Sequence, residues 1–370
     1  VRILQLVSCR GWSSDAYLAA RASAELARRG HEVWLGCRRG AEAHVIDRAR
    51  REGVEHVERF EFRGGAVPGP DAADVRRLLA WLPRVDVVHV HRGKEHWLAA
   101  VANRLSRTPR PLVRTRHIVQ AVRPHAANRW LYRRATALVH TVSEAIRRQY
   151  IAGGLVPAER AVTIPGGVDV TSAPAAREER VRASLGADGR TLLVGLVGGL
   201  RVMKGHAVAI DAVAGLGPEA ERLRVVFVGA GRHAAAIRTA IDRRDLGGRI
   251  ALVGFVSDLA SVFAALDVAL YVPVESEGMS RAMFEALAAA RPLIAARVGL
   301  VPEVLTDREH ALLVPGGDAP ALRTALAELL EDGELRRRLA TGGRALVCER
   351  YSGACLARSL EGHYRELGAA

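Results

Sequence analysis

"ALYVPVESEGMSRAMFEALAAARPLIAA", residues 269–296, contains a whole strand, loop, helix and strand in 28 residues. The first apolar run is too short for a helix and reads as a buried strand. Ser280 is a helix-capping residue type, and "RAMFEALAAA" is made of good helix formers that stop at Arg291 and Pro292. A second apolar run then follows at once. Two buried strands joined by a helix are parallel neighbours, with the helix laid over one face of the sheet. The backbone N–H groups of Gly278 to Ala282 face outward from the start of that helix, where its dipole favours an anion, and Gly278 lets a ligand approach the backbone. Glu277 falls in the loop and Glu285 about one turn into the helix. Taken singly, each has a plain reading: a loop glutamate is solvated, and one in a first turn complements the dipole.

The same pattern extends over the rest of the chain. "RILQLVS" (2–8), "HEVWLG" (31–36), "VDVVHVH" (85–91), "PLVRTRH" (111–117), "ALVHTVS" (137–143) and "RAVTIPGG" (160–167) read as strands. Helical stretches lie between them at 13–30, 71–82 and 95–106. Around 166–190 the pattern lapses into a Gly, Pro and charge-rich linker, after which strands resume near 191–197, 224–228, 250–253, 267–272, 292–296 and 311–314. Alternation of this kind predicts an α/β chain with two doubly wound, Rossmann-like domains, and 370 residues exceed one ordinary core. Ligands of such sheets bind at the carboxyl ends of the strands, which makes an interdomain cleft the default site.

Composition narrows the classes. Hydrophobic residues make up 49% and charged residues 25%, a globular balance. No apolar run approaches the roughly 18 residues of a membrane span, and "VRILQLVS" is too short and strand-like for an export signal, so the sequence predicts a cytoplasmic protein. Cys9, Cys37, Cys348 and Cys355 have no metal-ligand spacing and read as reduced thiols. Residues 1–165 hold 29 basic and 15 acidic side chains, whereas 166–370 hold 25 of each. The excess in the first half suits an anionic partner, or simply an arginine-rich solvated surface.

Only two of the 54 basic residues are lysines, Lys94 and Lys204. Lys204 sits in "GGLRVMKGH" (198–206), just after a strand. A compact ammonium suits a crowded polyphosphate site better than a broad guanidinium does, though chance is the plain alternative. "VFVGAGRHAA" imitates a dinucleotide fingerprint through Gly229, Gly231 and Ala234, but the following strand, "ALVGF", brings no acid for a ribose. A nicotinamide dehydrogenase is therefore disfavoured, and the glycines read as a tight turn.

Several of these segments together resemble one family. "RGHEV" (29–33), "TVSEAIRR" (141–148), "IPGGVD" (164–169), "VGGLRVMKGH" (197–206), "VGFVSDL" (253–259) and the stretch 269–305, with its Glu-x7-Glu pair Glu277 and Glu285, are similar to the GT-B glycosyltransferases of the family 4 type. The resemblance spans nearly the whole chain. It implies an acceptor-side domain at 1–165, a nucleotide-sugar domain at 166–350, and a terminal helix at 351–370 that packs back on the first domain.

It also implies roles. Lys204 would neutralise the leaving diphosphate, with Arg201 replacing an arginine that many relatives carry where this chain has Gly199. Glu285 would bind the ribose and Glu277 a hydroxyl of the transferred sugar. Backbone at Gly278, Met279, Ser280 and Arg281 would assist, and the base would lie near Gly254 and Phe255. Gly11, in a loop less glycine-rich than usual, would approach the phosphates. His117 matches a histidine near the reacting sugar, or else caps a buried strand. With Lys204 and Glu277 it completes the catalytic set. His89 and His91 share one sheet face and are as readily structural.

The donor would be a UDP- or GDP-sugar and the acceptor a glycan or lipid-linked glycan, as in cell-surface polysaccharide or lipopolysaccharide synthesis. Neither cofactor nor metal is expected, because the chain lacks an Asp-x-Asp motif and a lysine with helix-start amides can stabilise the diphosphate. The resemblance further implies retention of configuration by front-face displacement. Lys94, Arg129, Trp130, Arg133 and Arg134 would face the acceptor or an anionic membrane surface, unless the aromatics turn inward. An epimerase or phosphorylase of the same fold is the nearest rival, and a two-domain binding protein a remoter one. A nucleic-acid partner is not expected, for the chain has neither zinc spacing nor an RNP-like aromatic strand.

Overall fold

The computed structural model describes residues 1–40, 43–171, 178–276, 278–279 and 281–369. Glu277 and Ser280, both singled out above, lie outside the described residues, as does part of the proposed linker. The chain forms two compact units, Val1–Val168 with Ser352–Ala370, and Asp169–Tyr351.

Among the described residues the first unit has seven parallel strands: β1 (Arg2–Val7), β2 (Glu32–Arg38), β3 (His56–Phe60), β4 (Val87–Val90), β5 (Leu112–Arg116), β6 (Leu138–Thr141) and β7 (Ala161–Thr163). Their order is β3-β2-β1-β4-β5-β6-β7, so the winding reverses between β1 and β4. Continuous burial along β1 and β4 follows from helices on both faces. The helix Ser14–Arg28 starts where the Ser13 side chain accepts the Ala16 N–H, and the chain turns away at Gly30, whose φ of 86° suits glycine. Its small buried face of Ala16, Ala19 and Ala20 allows close packing on the sheet.

The terminal helix Gly353–Glu366 belongs to this first unit and buries Leu356, Leu360 and Tyr364. It packs on the helix Ser14–Arg28, and the Gly353 N–H donates to the Val168 carbonyl at 2.8 Å. Gly167 explains the closeness of the join. Its φ is +92°, and a Cβ there would stand 2.6 Å from Leu356 Cδ2.

The second unit repeats the plan with β8 (Leu192–Val197), β9 (Leu223–Val228), β10 (Ile250–Gly254), β11 (Val268–Tyr271), β12 (Leu293–Ala296) and β13 (Leu312–Val314), in the order β10-β9-β8-β11-β12-β13. Its core includes Val194, Leu196, Val225, Phe227, Val268, Leu270 and Ile294. Buried Arg182 clamps the base of β11, donating to the Asp267 carboxylate at 2.8 Å and to the Ala265 carbonyl at 2.7 Å. All four cysteines are free thiols, and no helix of the described residues is long and apolar enough to cross a membrane.

Candidate functional site

In the second unit the winding reverses between β8 and β11, and the loops after those strands are joined. The Val274 N–H donates to the Met203 carbonyl at 2.9 Å. Gly205 lies against the other loop with φ 77°, and a Cβ would stand 1.8 Å from the Val272 carbonyl oxygen. No other residue fits there. Lys204, immediately before it, is thereby fixed over the loop: a Cβ on Gly198 would meet its Cε at 3.5 Å and its Nζ at 3.6 Å. Arg201 folds across Gly199, its Nε 3.6 Å from the place of a Cβ on that glycine. The Arg201 side chain thus lies in ordinary van der Waals contact with the place of a Cβ at position 199.

Gly229 and Gly231 serve this loop too. Added Cβ atoms would stand 1.9 Å from the Gly198 carbonyl oxygen and 2.4 Å from that of Leu200, so these glycines let two loops pack backbone to backbone. On the next strand the ladder register shifts at Gly254, with φ 85°, and Phe255 beside it is 65% exposed. Beneath the lysine, His206 is buried edge-on to Phe227 at 5.0 Å, and burial pushes its pKa down to about 4.

The helix Arg281–Ala288 begins as the sequence predicts, after Gly278 with φ 70°. Met279 and Met283 are buried and anchor it. Glu285 is paired with Arg281 one turn back, Nη2 to Oε1 2.7 Å, so its carboxylate is held by its own helix.

In the first unit, the loop after β1 carries Gly11 and the loop after β4 carries Arg92. Buried Glu95 joins the two, its Oε1 accepting from the Arg92 N–H at 2.6 Å and the Ser8 N–H at 3.3 Å; burial raises its pKa. His117, at the end of β5, is 5% exposed. Its Nε2 lies 3.1 Å from His91 Nδ1, and its Nδ1 is buried with no partner among the described residues. Burial, then the positive charge of Arg114, holds it well below its ordinary value. Sequence reasoning passed over the residues packed behind it, Gln5, Thr115, His140 and Tyr364. For Gln5, Thr115 and His140 the signal was a polar side chain inside an apolar strand, as in "RILQLV"; Tyr364, on the terminal helix, carried none.

Lys94 has partners within its own unit, forming an ion pair with the Asp71 carboxylate at 2.5 Å and donating to the Gly65 carbonyl at 2.6 Å. Tyr132 is buried, edge-on to Tyr150 and His96. Trp130 stacks on Trp97 at 6.0 Å, while Arg129, Arg133 and Arg134 stay exposed. The aromatics of that segment therefore turn toward their own unit.

Two Rossmann-like units, with a cationic loop at the winding reversal of the second, define a doubly wound α/β class of protein. Residues 177–346 match the family described as Glycosyl transferases group 1, and residues 17–172 match Glycosyltransferase Family 4. The D-inositol 3-phosphate glycosyltransferase of Kineococcus radiotolerans is 32% identical over 371 residues, 87% of this chain and 82% of that one. The alpha-D-kanosaminyltransferase of Streptomyces kanamyceticus is 29% identical over 194 residues, and that match spans only 52% of this chain and 50% of the relative. The crystal structure of Anabaena HepE in complex with UDP has the same fold, with a TM-score of 0.83 at 21% identity, covering 99% of this chain and 100% of that one. The chain belongs to the GT-B glycosyltransferases of the family 4 type.

Proposed function

We propose that this glycosyltransferase takes its sugar from a nucleoside diphosphate sugar held by the second unit, such as a UDP- or GDP-sugar, and transfers it with retention and without a metal ion. The observation that carries the reading is the placing of Lys204 over Gly198, with Arg201 across Gly199, at the winding reversal of the sheet. Fixed cations there would neutralise a diphosphate as it gains charge, which is the work a divalent ion would otherwise do. Glu277, Glu285 and the backbone from Gly278 to Arg281 would hold sugar and ribose, and exposed Phe255 would lie under the base.

In the step itself, the bond from the anomeric carbon to the phosphate oxygen breaks while the acceptor oxygen bonds to the same face of that carbon. The acceptor hydroxyl proton passes to the departing phosphate. The acceptor is a polyhydroxylated molecule carrying an anionic group, a reading supported by the basic excess of residues 1–165 and by the phosphorylated cyclitol in the Kineococcus relative's name. A lipid-linked glycan or a phosphorylated cyclitol would each meet that description.

The purified chain should be incubated with UDP- and GDP-sugars, with EDTA present, and offered inositol phosphates in one arm and lipid-linked glycans in the other. Acceptor-dependent release of nucleoside diphosphate, with the product's anomeric configuration matching the donor's, is the expected result. An isomerised donor would make the protein an epimerase. Donor returned unchanged in every arm would remove the reading.

A further inference from the structure

Buried polar side chains on one face of the first unit's sheet form an unbroken chain of hydrogen bonds, and its direction can be read from one end. His140 Nε2 lies 2.8 Å from the Ile164 carbonyl oxygen. A carbonyl only accepts, so Nε2 carries the ring proton. A neutral imidazole that donates at one nitrogen accepts at the other, and His140 Nδ1 therefore takes the Thr115 hydroxyl proton at 2.9 Å. Thr115 Oγ1 accepts from His89 Nε2 at 2.6 Å, which leaves His89 Nδ1 to accept from the Tyr364 hydroxyl, also at 2.6 Å.

The chain runs on through the first strand. The Gln5 amide nitrogen donates to the Tyr364 oxygen at 3.4 Å, and Gln5 Oε1 accepts from His91 Nε2 at 2.8 Å. His91 Nδ1 is then an acceptor and receives the His117 Nε2 proton at 3.1 Å. One nitrogen remains. His117 Nδ1, buried and with no partner among the described residues, ends the chain as a bare lone pair. Burial holds His89, His91, His117 and His140 all below their ordinary values, which keeps each ring neutral and the direction intact.

We propose that this chain sets His117 as its Nε2–H tautomer, so that Nδ1 takes the hydroxyl hydrogen of a bound sugar or acceptor and turns away phosphate oxygens, which offer only lone pairs. Gln5, Thr115 and Tyr364 are then positioning residues for His117, and the terminal helix supplies one of them. The identity of the hydroxyl rests on the proposed glycosyl transfer; the tautomer does not.

The two parts are tested separately on the full chain. Long-range proton–nitrogen correlation spectra of protein labelled with 15N-histidine report each ring nitrogen directly. His117 should show a protonated Nε2 and a bare Nδ1 without any ligand. Tyr364→Phe frees the Gln5 amide to flip, and Thr115→Val cuts the link to Ile164 with little change of shape; in each, the His117 signals should move toward a mixture of tautomers. With donor and acceptor present, Thr115→Val should lower kcat/KM about tenfold, the worth of one misdirected hydrogen bond. A merely structural threonine would leave the His117 nitrogen signals in place. A protonated Nδ1 in the parent protein overturns the proposal, and so does an unmoved tautomer in both variants. A bare Nδ1 in a protein that transfers no sugar supports the relay and overturns only the proposed function.

Discussion

His89 Nδ1 lies 2.6 Å from the hydroxyl of Tyr364, joining residues 275 positions apart inside the first unit. The terminal helix is thus part of that unit's core rather than an appendage. Leu356 and Leu360 are each 1% exposed beside it. Leu356→Ala should destabilise the first unit by about 2–5 kcal/mol, the usual cost of emptying a buried leucine site. All five tryptophans, Trp12, Trp34, Trp81, Trp97 and Trp130, belong to the first unit, so urea unfolding followed by tryptophan fluorescence reads that unit selectively. An unmoved midpoint would mean the helix is dispensable.

Among the described residues, twelve of the thirteen strands are legible in the sequence because each is a short apolar run between turn signals. β3 is the exception. "HVERF" sits at the sheet edge, where every side chain but Phe60 is at least partly exposed, and its polar positions hide it among loop residues. The site divides in the same way. Lys204 and the glycines around it stand out because their chemistry is unusual at those positions, whereas the partners of His117 come from β1, β4, β5, β6 and the chain terminus. No local pattern could bring Gln5 and Tyr364 together. Gly229 and Gly231 show the reverse error available to motif reading, since a dinucleotide fingerprint serves here as room for a neighbouring loop.

Lys204→Met should lower transfer by about a hundredfold to a thousandfold, the range seen when one preorganised electrostatic contact is removed. Lys204→Arg is the more searching substitution. Gly205 fixes the loop backbone against Val272, so a broader, planar guanidinium would have to be placed over Gly198 from the same backbone position. Steady-state rates with saturating donor should place Lys204→Arg near Lys204→Met. Parent-like turnover in the arginine variant would make the lysine incidental.

Acid should unfold the first unit early. His89, His91, His96 and His117 are held well below their ordinary value near 6.5, and His140 is pushed down to about 4, in each case chiefly by burial. A histidine whose folded pKa lies below its unfolded one binds its proton first in the unfolded state. Its contribution is therefore complete above about pH 6.5 and is lost as pH falls from there toward the folded value. Each can remove up to about 1.4 kcal/mol per pH unit within that window. Asp15 and Glu95, raised by burial, act in the opposite sense but only nearer the carboxylate range. Urea midpoints read by tryptophan fluorescence should drop clearly between pH 7.5 and pH 5, and a flat profile would show that these rings are not buried neutral.

Attachment to an anionic membrane should be chiefly electrostatic. The sequence "RPHAANRWLYRR" (123–134) reads as basic residues interleaved with interfacial aromatics, but Tyr132 is buried and Trp130 is stacked on Trp97. Tyr132 is thus withdrawn from any headgroup layer, and Trp130 offers it only a partly exposed ring engaged with Trp97. Arg129, Arg133 and Arg134 remain exposed, and their attraction to anionic lipid is screened within about 8 Å at physiological salt. The full chain is the right material, because residues 1–165 alone would lack the terminal helix that completes the first unit. Co-sedimentation should be weak with anionic vesicles at low salt, absent with neutral vesicles, and abolished by high salt or by the double substitution Arg133→Glu and Arg134→Glu. Salt-resistant binding would reveal an apolar contact that these residues do not provide. Equal, weak binding in every condition would leave the basic surface to a soluble phosphorylated acceptor.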